Sequence, residues 1–127
     1  MSNTRDTQTV TPYLILNGAA RFIEFAREVF GAETELEERR PEEKARVMHA
    51  QLRIGNSTVM CADATEQWKA EAAGLFINVT DADTSFEKAQ QAGATVIMPL
   101  SDQSYGRTCG VKDPAGVTWW ITSPIAP

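Results

Sequence analysis

The 127-residue chain predicts an α+β fold: two tandem βαβββ modules whose sheets together close round a cavity. Three observations predict it. The order strand, helix, Gly-Ala, three strands occurs twice at a period of about sixty residues, too long and too few for a solenoid array. Phe30-Gly31-Ala32-Glu33 sits in the first copy where Ala92-Gly93-Ala94-Thr95 sits in the second, and 43% apolar content supplies a core for such a domain.

Residues 1–9 are polar and read as a flexible arm before a single domain over 10–127. Module one covers 10–62. Its first strand, 10–16, is rich in Tyr, Ile, Leu and Val and stops at Asn17-Gly18. A helix over 19–30 follows, with Asn17 placed to cap it and Phe22, Ile23, Ala26, Val29 and Phe30 on one face. Gly31 suits the left-handed position that ends it. The charged stretch 33–39 reads as an edge strand, where charge discourages edge pairing. Residues 45–54 alternate, with Met48, Ala50, Leu52 and Ile54 on one face and Val47, His49, Gln51 and Arg53 on the other. Gly55-Asn56 turns the chain into the return strand 57–62.

A polar connector, 63–73, carries Trp68 and has room for one helical turn. Module two covers 74–123. Its strand 75–79 precedes a helix that begins at Thr80-x-x-Asp83, similar to a capping box, and ends at Gly93. A strand over 95–100, a polar loop over 101–106, and two strands around Asp113-Pro114-Ala115-Gly116 complete it.

Composition excludes several function classes. Seventeen acids against 12 bases give a net charge of −5. Phosphate contacts need clustered Lys and Arg, so a nucleic-acid partner is not expected. One histidine excludes a multi-histidine metal site. No apolar run approaches the roughly 20 residues of a membrane span, and the N-terminus lacks a signal-peptide core. Cys61 and Cys109 lack metal or disulfide spacing. They are expected as free, buried packing residues in a reducing cytoplasm.

The two modules, the Phe30-Gly31-Ala32-Glu33 and Ala92-Gly93-Ala94 junctions, and the Asp113-Pro-Ala-Gly-Val-Thr-Trp turn resemble the vicinal oxygen chelate superfamily. That superfamily includes glyoxalase I, bleomycin- and fosfomycin-resistance proteins and extradiol dioxygenases. Thr11-Pro12-Tyr13-Leu14, Val47-Met48-His49-Ala50 and Tyr105-Gly106-Arg107 are similar to its PhnB-like branch. The resemblance covers roughly residues 10–123 and implies a homodimer, and a shared, curved mixed sheet formed by both modules around the cavity with the helices outside. It also implies a divalent metal held by His and Glu in catalytic members. Carried over, those four positions fall on Thr11, Met60, Gly74 and Trp120. Gly and Trp offer no coordinating atom, and a neutral hydroxyl and a thioether are poor ligands for such cations. A one-residue slip offers Pro12, Cys61, Leu75 and Trp119 or Ile121, which is no better. No metal and no cofactor are therefore expected.

Strand alternation places Tyr13, His49, Gln51, Met60, Phe76, Asn78 and Trp120 on the concave face, with Tyr105 at its mouth in a loop able to act as a lid. These eight are the candidate ligand-binding residues, an apolar and aromatic set with few polar groups. His49 is also the candidate catalytic residue, since its ordinary pKa lies near neutrality. Arg53 and Arg107 are read mainly as solvated surface arginines, with bidentate anion binding as the other reading. The expected function is metal-free binding of a small apolar or aromatic ligand. The alternatives are a metal-dependent lyase, isomerase or transferase, a metal-independent enzyme using His49 as acid/base, and a structural or interaction role.

Overall fold

The computed structural model describes residues 8–125, so most of the expected N-terminal arm lies outside the described residues. Module one runs β1 (Tyr13–Leu16), α1 (Ala19–Phe30), β2 (Glu33–Arg39), β3 (Val47–Ile54) and β4 (Ser57–Asp63). Module two runs β5 (Ala73–Asn78), α2 (Ala82–Gln91), β6 (Thr95–Gln103), β7 (Gly106–Lys112) and β8 (Val117–Ser123). The duplication is exact in topology. The sheets have the orders β1-β4-β3-β2 and β5-β8-β7-β6. In each, the first strand pairs parallel to the last, as the helical crossover requires. The fold is the expected α+β pair of βαβββ modules. Within the chain no ladder joins the two sheets among the described residues.

The modules meet instead through their helix-covered faces. Helix α1 buries Phe22, Ile23, Phe25, Ala26 and Val29, the stripe its 3.6-residue period predicts. Trp119 of β8 reaches into the same layer and is only 1% exposed. Its ring centroid lies 4.6 Å from Phe30, 5.7 Å from Phe22 and 6.1 Å from Phe25. One indole thus ties module two to the helix of module one.

Asp113 holds that indole in place. Its Oδ2 accepts from Trp119 Nε1 at 2.7 Å, while Oδ1 accepts from the backbone N–H groups of Ala115 and Val117. Burial disfavours its charge more than these bonds favour it, so its carboxyl titrates above the ordinary 3.8. Between the unfolded value and this raised folded value, the folded state binds more protons. Its contribution to stability therefore declines as pH rises through that window. An NMR titration should give Asp113 a midpoint above 3.8; a midpoint below it would overturn this balance.

Each helix receives a hydrogen-bond acceptor from the end of a distant strand. Asp63, closing β4, accepts from Gly18 N and Ala19 N at 3.0 Å each, and from Val47 N at 2.7 Å. Ser123, closing β8, accepts from Ala82 N at 3.0 Å. Asn17 is therefore not the cap of α1. The cap position is Gly18, at φ 94°, and the side-chain acceptor comes from β4. Likewise Asp81, not Thr80, caps α2, accepting from Asp83 N and Thr84 N. A rule that looks only at adjacent residues misses a carboxylate delivered by tertiary packing.

Four other local expectations need correction. The first strand begins at Tyr13 rather than residue 10. The connector contains bends rather than a helical turn, and Glu71 N donates to Ile15 O at 3.2 Å. The loop expected over 101–106 is mostly strand: Ser101, Asp102 and Gln103 pair with Thr108, Arg107 and Gly106. Only Ser104 and Tyr105 remain as the turn, too short for a lid. Finally, a bulge opposite Arg39 shifts the phase at the start of β3. Val47 is consequently buried in the core and Met48 exposed, the reverse of the expected alternation.

Candidate functional site

On each sheet, cross-strand register lines up one residue from every strand, and directly opposite residues share a face. In module one the row is Tyr13, Met60, Gln51 and Leu36. In module two it is Phe76, Trp120, Gly110 and Met98. These rows occupy equivalent places in the duplicated topology. They lie opposite the helix-covered faces, because Trp119 and Trp120 are consecutive in a strand and point to opposite sides.

The eight expected site residues fall into two groups. On sheet one, the Tyr13 hydroxyl lies 3.1 Å from His49 Nδ1, and Gln51 Nε2 lies 3.4 Å from His49 Nε2. If the Gln51 amide donates to Nε2, the proton sits on Nδ1 and is donated to the tyrosine oxygen. Met60 stands between Tyr13 and Gln51 in register. On sheet two, Phe76 faces Tyr105 at 6.5 Å between ring centroids and is the register partner of Trp120. Asn78 is exposed one pleat further along β5. Tyr13, Phe76 and Tyr105 are 50%, 58% and 62% exposed, unusual for rings of this size.

Sequence reasoning missed Leu36 and Met98, because bulges in β2 and β6 break their period-two pattern. It also missed Glu38, which stands opposite His49 on β2. This is the carboxylate neighbour that the strand of His49 does not itself supply. Gly110 gave no signal at all, since a glycine in a strand carries no side chain to classify.

A cleft of about 990 Å³ runs between the modules. Phe30 and the β3–β4 hairpin form one side, and β5 with the Lys88 face of α2 forms the other. Phe76 and Asn78 are the expected site residues that line it.

The remaining candidates are engaged structurally. Arg107 donates through Nε and Nη2 to both oxygens of Asp83, and through Nη1 to Asp102 at 3.1 Å. Its fork is spent tying α2 to the β6–β7 hairpin, and it holds the Asp83 carboxyl below its ordinary range. Arg53 pairs with Glu35 at 2.9 Å. Cys61 and Cys109 are buried thiols, as expected. Burial, helped by Asp63 and Glu37, pushes Cys61 up to about 12; burial, helped by Asp83, pushes Cys109 to about 11. Neither is poised as a nucleophile.

Residues 9–121 match the model of the Glyoxalase/Bleomycin resistance protein/Dioxygenase superfamily. The chain belongs to that superfamily. An uncharacterised protein of Mycobacterium tuberculosis (strain H37Rv) is 34% identical over 128 residues, spanning 91% of this chain and 74% of that protein. Among solved structures, PA1353 from Pseudomonas aeruginosa superposes with a TM-score of 0.77 at 24% identity, covering 94% of this chain and all of that one. The PhnB protein of Bacillus cereus gives 0.71 at 23% identity, covering 91% and 99%. TnmS3, an antibiotic binding protein from Streptomyces sp. CB03234, gives 0.69 at 14% identity, covering 93% and 99%. At these identities the structural likeness concerns the fold.

The superfamily's metal can be tested against the residues present. Thr11 precedes β1, Met60 is a thioether, and Gly74 has no side chain. Trp120 presents an indole whose ring nitrogen is a donor only. This set does not fit a divalent cation. Among the described residues, no group of three or more His, Cys, Asp or Glu is placed to hold one. Among the same residues, no helix is long and apolar enough to cross a membrane.

Proposed function

We propose that this superfamily member binds a small apolar or aromatic ligand on its concave faces without a metal. The observation that carries the reading is the pair of cross-strand rows. Where the superfamily would place metal ligands, these rows carry Met60 and Trp120, flanked by the exposed rings Tyr13 and Phe76. A protein gains nothing by exposing such rings to water, so their exposure marks a surface that something covers. The fold shared with an antibiotic binding protein supports the same reading. So do the few polar groups, His49, Gln51 and Asn78, set among apolar ones.

Two copies of the chain complete the site in this proposal, since each sheet lacks a facing wall within its own ladder. Exposed Val96 and Ile97 on edge strand β6 are available for such contact. Light scattering should then return twice the 14.0 kDa chain mass. Free buried thiols suit a reducing cytoplasm.

Thermal shift tests the binding reading. A hydrophobic ligand at about 100 times its Kd adds roughly 2.7 kcal/mol and raises Tm by roughly 10 °C. We expect such shifts from planar or amphipathic compounds and none from Ni, Zn, Mn or Fe salts. Stoichiometric metal in the purified protein, or metal-induced stabilisation, would defeat the proposal. A second reading rests on the Tyr13–His49 hydrogen bond and on Glu38 opposite: His49 as a metal-independent acid/base. His49→Ala should then abolish turnover of a bound compound while leaving its binding measurable; unchanged turnover would remove His49 from the chemistry.

A further inference from the structure

Gly74 and Gly110 both lie inside strands, where glycine is less favourable than alanine because it loses more backbone freedom on folding. Neither has a positive φ, so backbone conformation does not require them. They sit on the strands either side of Trp120. A Cβ built on Gly110 would lie 2.4 Å from Trp120 Cζ3 and 2.7 Å from Cε3. A Cβ on Gly74 would lie 3.9 Å from Trp120 Nε1, an ordinary contact. The benzo edge of the indole therefore rests directly over Gly110, while the pyrrole edge reaches toward Gly74. The ring lies across three strands rather than standing up from the sheet.

The geometry points to a stacking platform: Gly110 lays the Trp120 indole flat, so the site selects a planar fused-ring ligand over a puckered aliphatic one of the same size. This rests on the reading that the concave face takes the ligand, and it adds the ligand class and the residue that sets it. A flat indole offers one whole π-face. A planar ring system gains both area and offset stacking from it, whereas a puckered ring touches it at a few atoms. Phe76 is the register partner of Trp120 on the next strand, and its own ring meets Tyr105. The equivalent row of module one has Gln51 in place of Gly110 and Met60 in place of Trp120, so the platform belongs to sheet two alone. Gly110 is a positioning residue, acting through Trp120.

The test compares the fused-ring compounds acridine and anthraquinone with their perhydro analogues, by calorimetry and by tryptophan quenching. We expect wild-type protein to bind the planar members at least tenfold more tightly. Gly110→Ala and Gly110→Val should each lose at least tenfold for the planar members. They should change the near-UV circular dichroism and leave the far-UV spectrum intact. Gly74→Ala should stay within about twofold of wild type. Trp120→Leu should abolish the planar preference, and it tests the platform even if Gly110→Val folds poorly. Equal binding of planar and perhydro compounds, or full planar affinity in Gly110→Ala, would overturn the platform while leaving the pocket intact. No binding of any member to wild-type protein would overturn the pocket reading, and the platform with it.

Discussion

Trp119→Ala is expected to lower the unfolding free energy by ~4 kcal/mol, the scale of removing a large aromatic from a core. Three losses combine. The indole gives up its contacts with Phe22, Phe25 and Phe30, which join the two modules. A cavity opens in a layer where neighbouring helix and strand positions are already packed. Asp113 Oδ2 also loses the indole N–H that it accepts in a buried turn. Trp120→Ala provides the comparison. That ring is half-buried on the opposite face, and its loss should cost only ~1 kcal/mol. Urea unfolding of the two variants measures the difference between adjacent tryptophans. Equal destabilisation would mean that β8 does not separate a structural indole from an available one.

Asp63→Ala should be nearly as severe, at ~4 kcal/mol, because one carboxylate serves three backbone donors. Its loss frees the first N–H groups of α1 and detaches the start of β3 from the end of β4. Ser123→Ala removes only the bond to Ala82 N and should cost ~1 kcal/mol. Asp63→Asn separates acceptor count from size. Its amide can still accept at the helix but turns a donor toward Val47 N–H, so an intermediate loss is expected. If Asp63→Ala and Ser123→Ala destabilise equally in urea melts, the three-donor role of Asp63 is wrong.

Much of the fold was legible in the residues. Period-two alternation, the apolar stripe of α1 and the glycine stops placed the strands and helices close to their observed bounds. The repeated order revealed both modules. Misplacements occurred where one extra residue changes the phase. The bulge opposite Arg39 buries Val47 and exposes Met48, and the bulges in β2 and β6 hide Leu36 and Met98. The polar composition of residues 101–106 suggested a loop, but cross-strand pairing overrode local propensity there. Asn17 and Thr80 looked like caps because a capping rule weighs only neighbours.

The sequence by itself determined the α+β class and the duplication, and it sets the residue types, Thr11, Met60, Gly74 and Trp120, at the positions where the family resemblance implies metal ligands. These follow from residue identity and from periods that survive any packing. Tertiary structure alone decided which partners meet: Asp63 beneath α1, Trp119 among the phenylalanines, Tyr13 beside His49 and Gly110 under Trp120. Such contacts join residues far apart in the chain, often on different strands, and depend on cross-strand register. Alternation says which way a side chain points; only register says what it lies against.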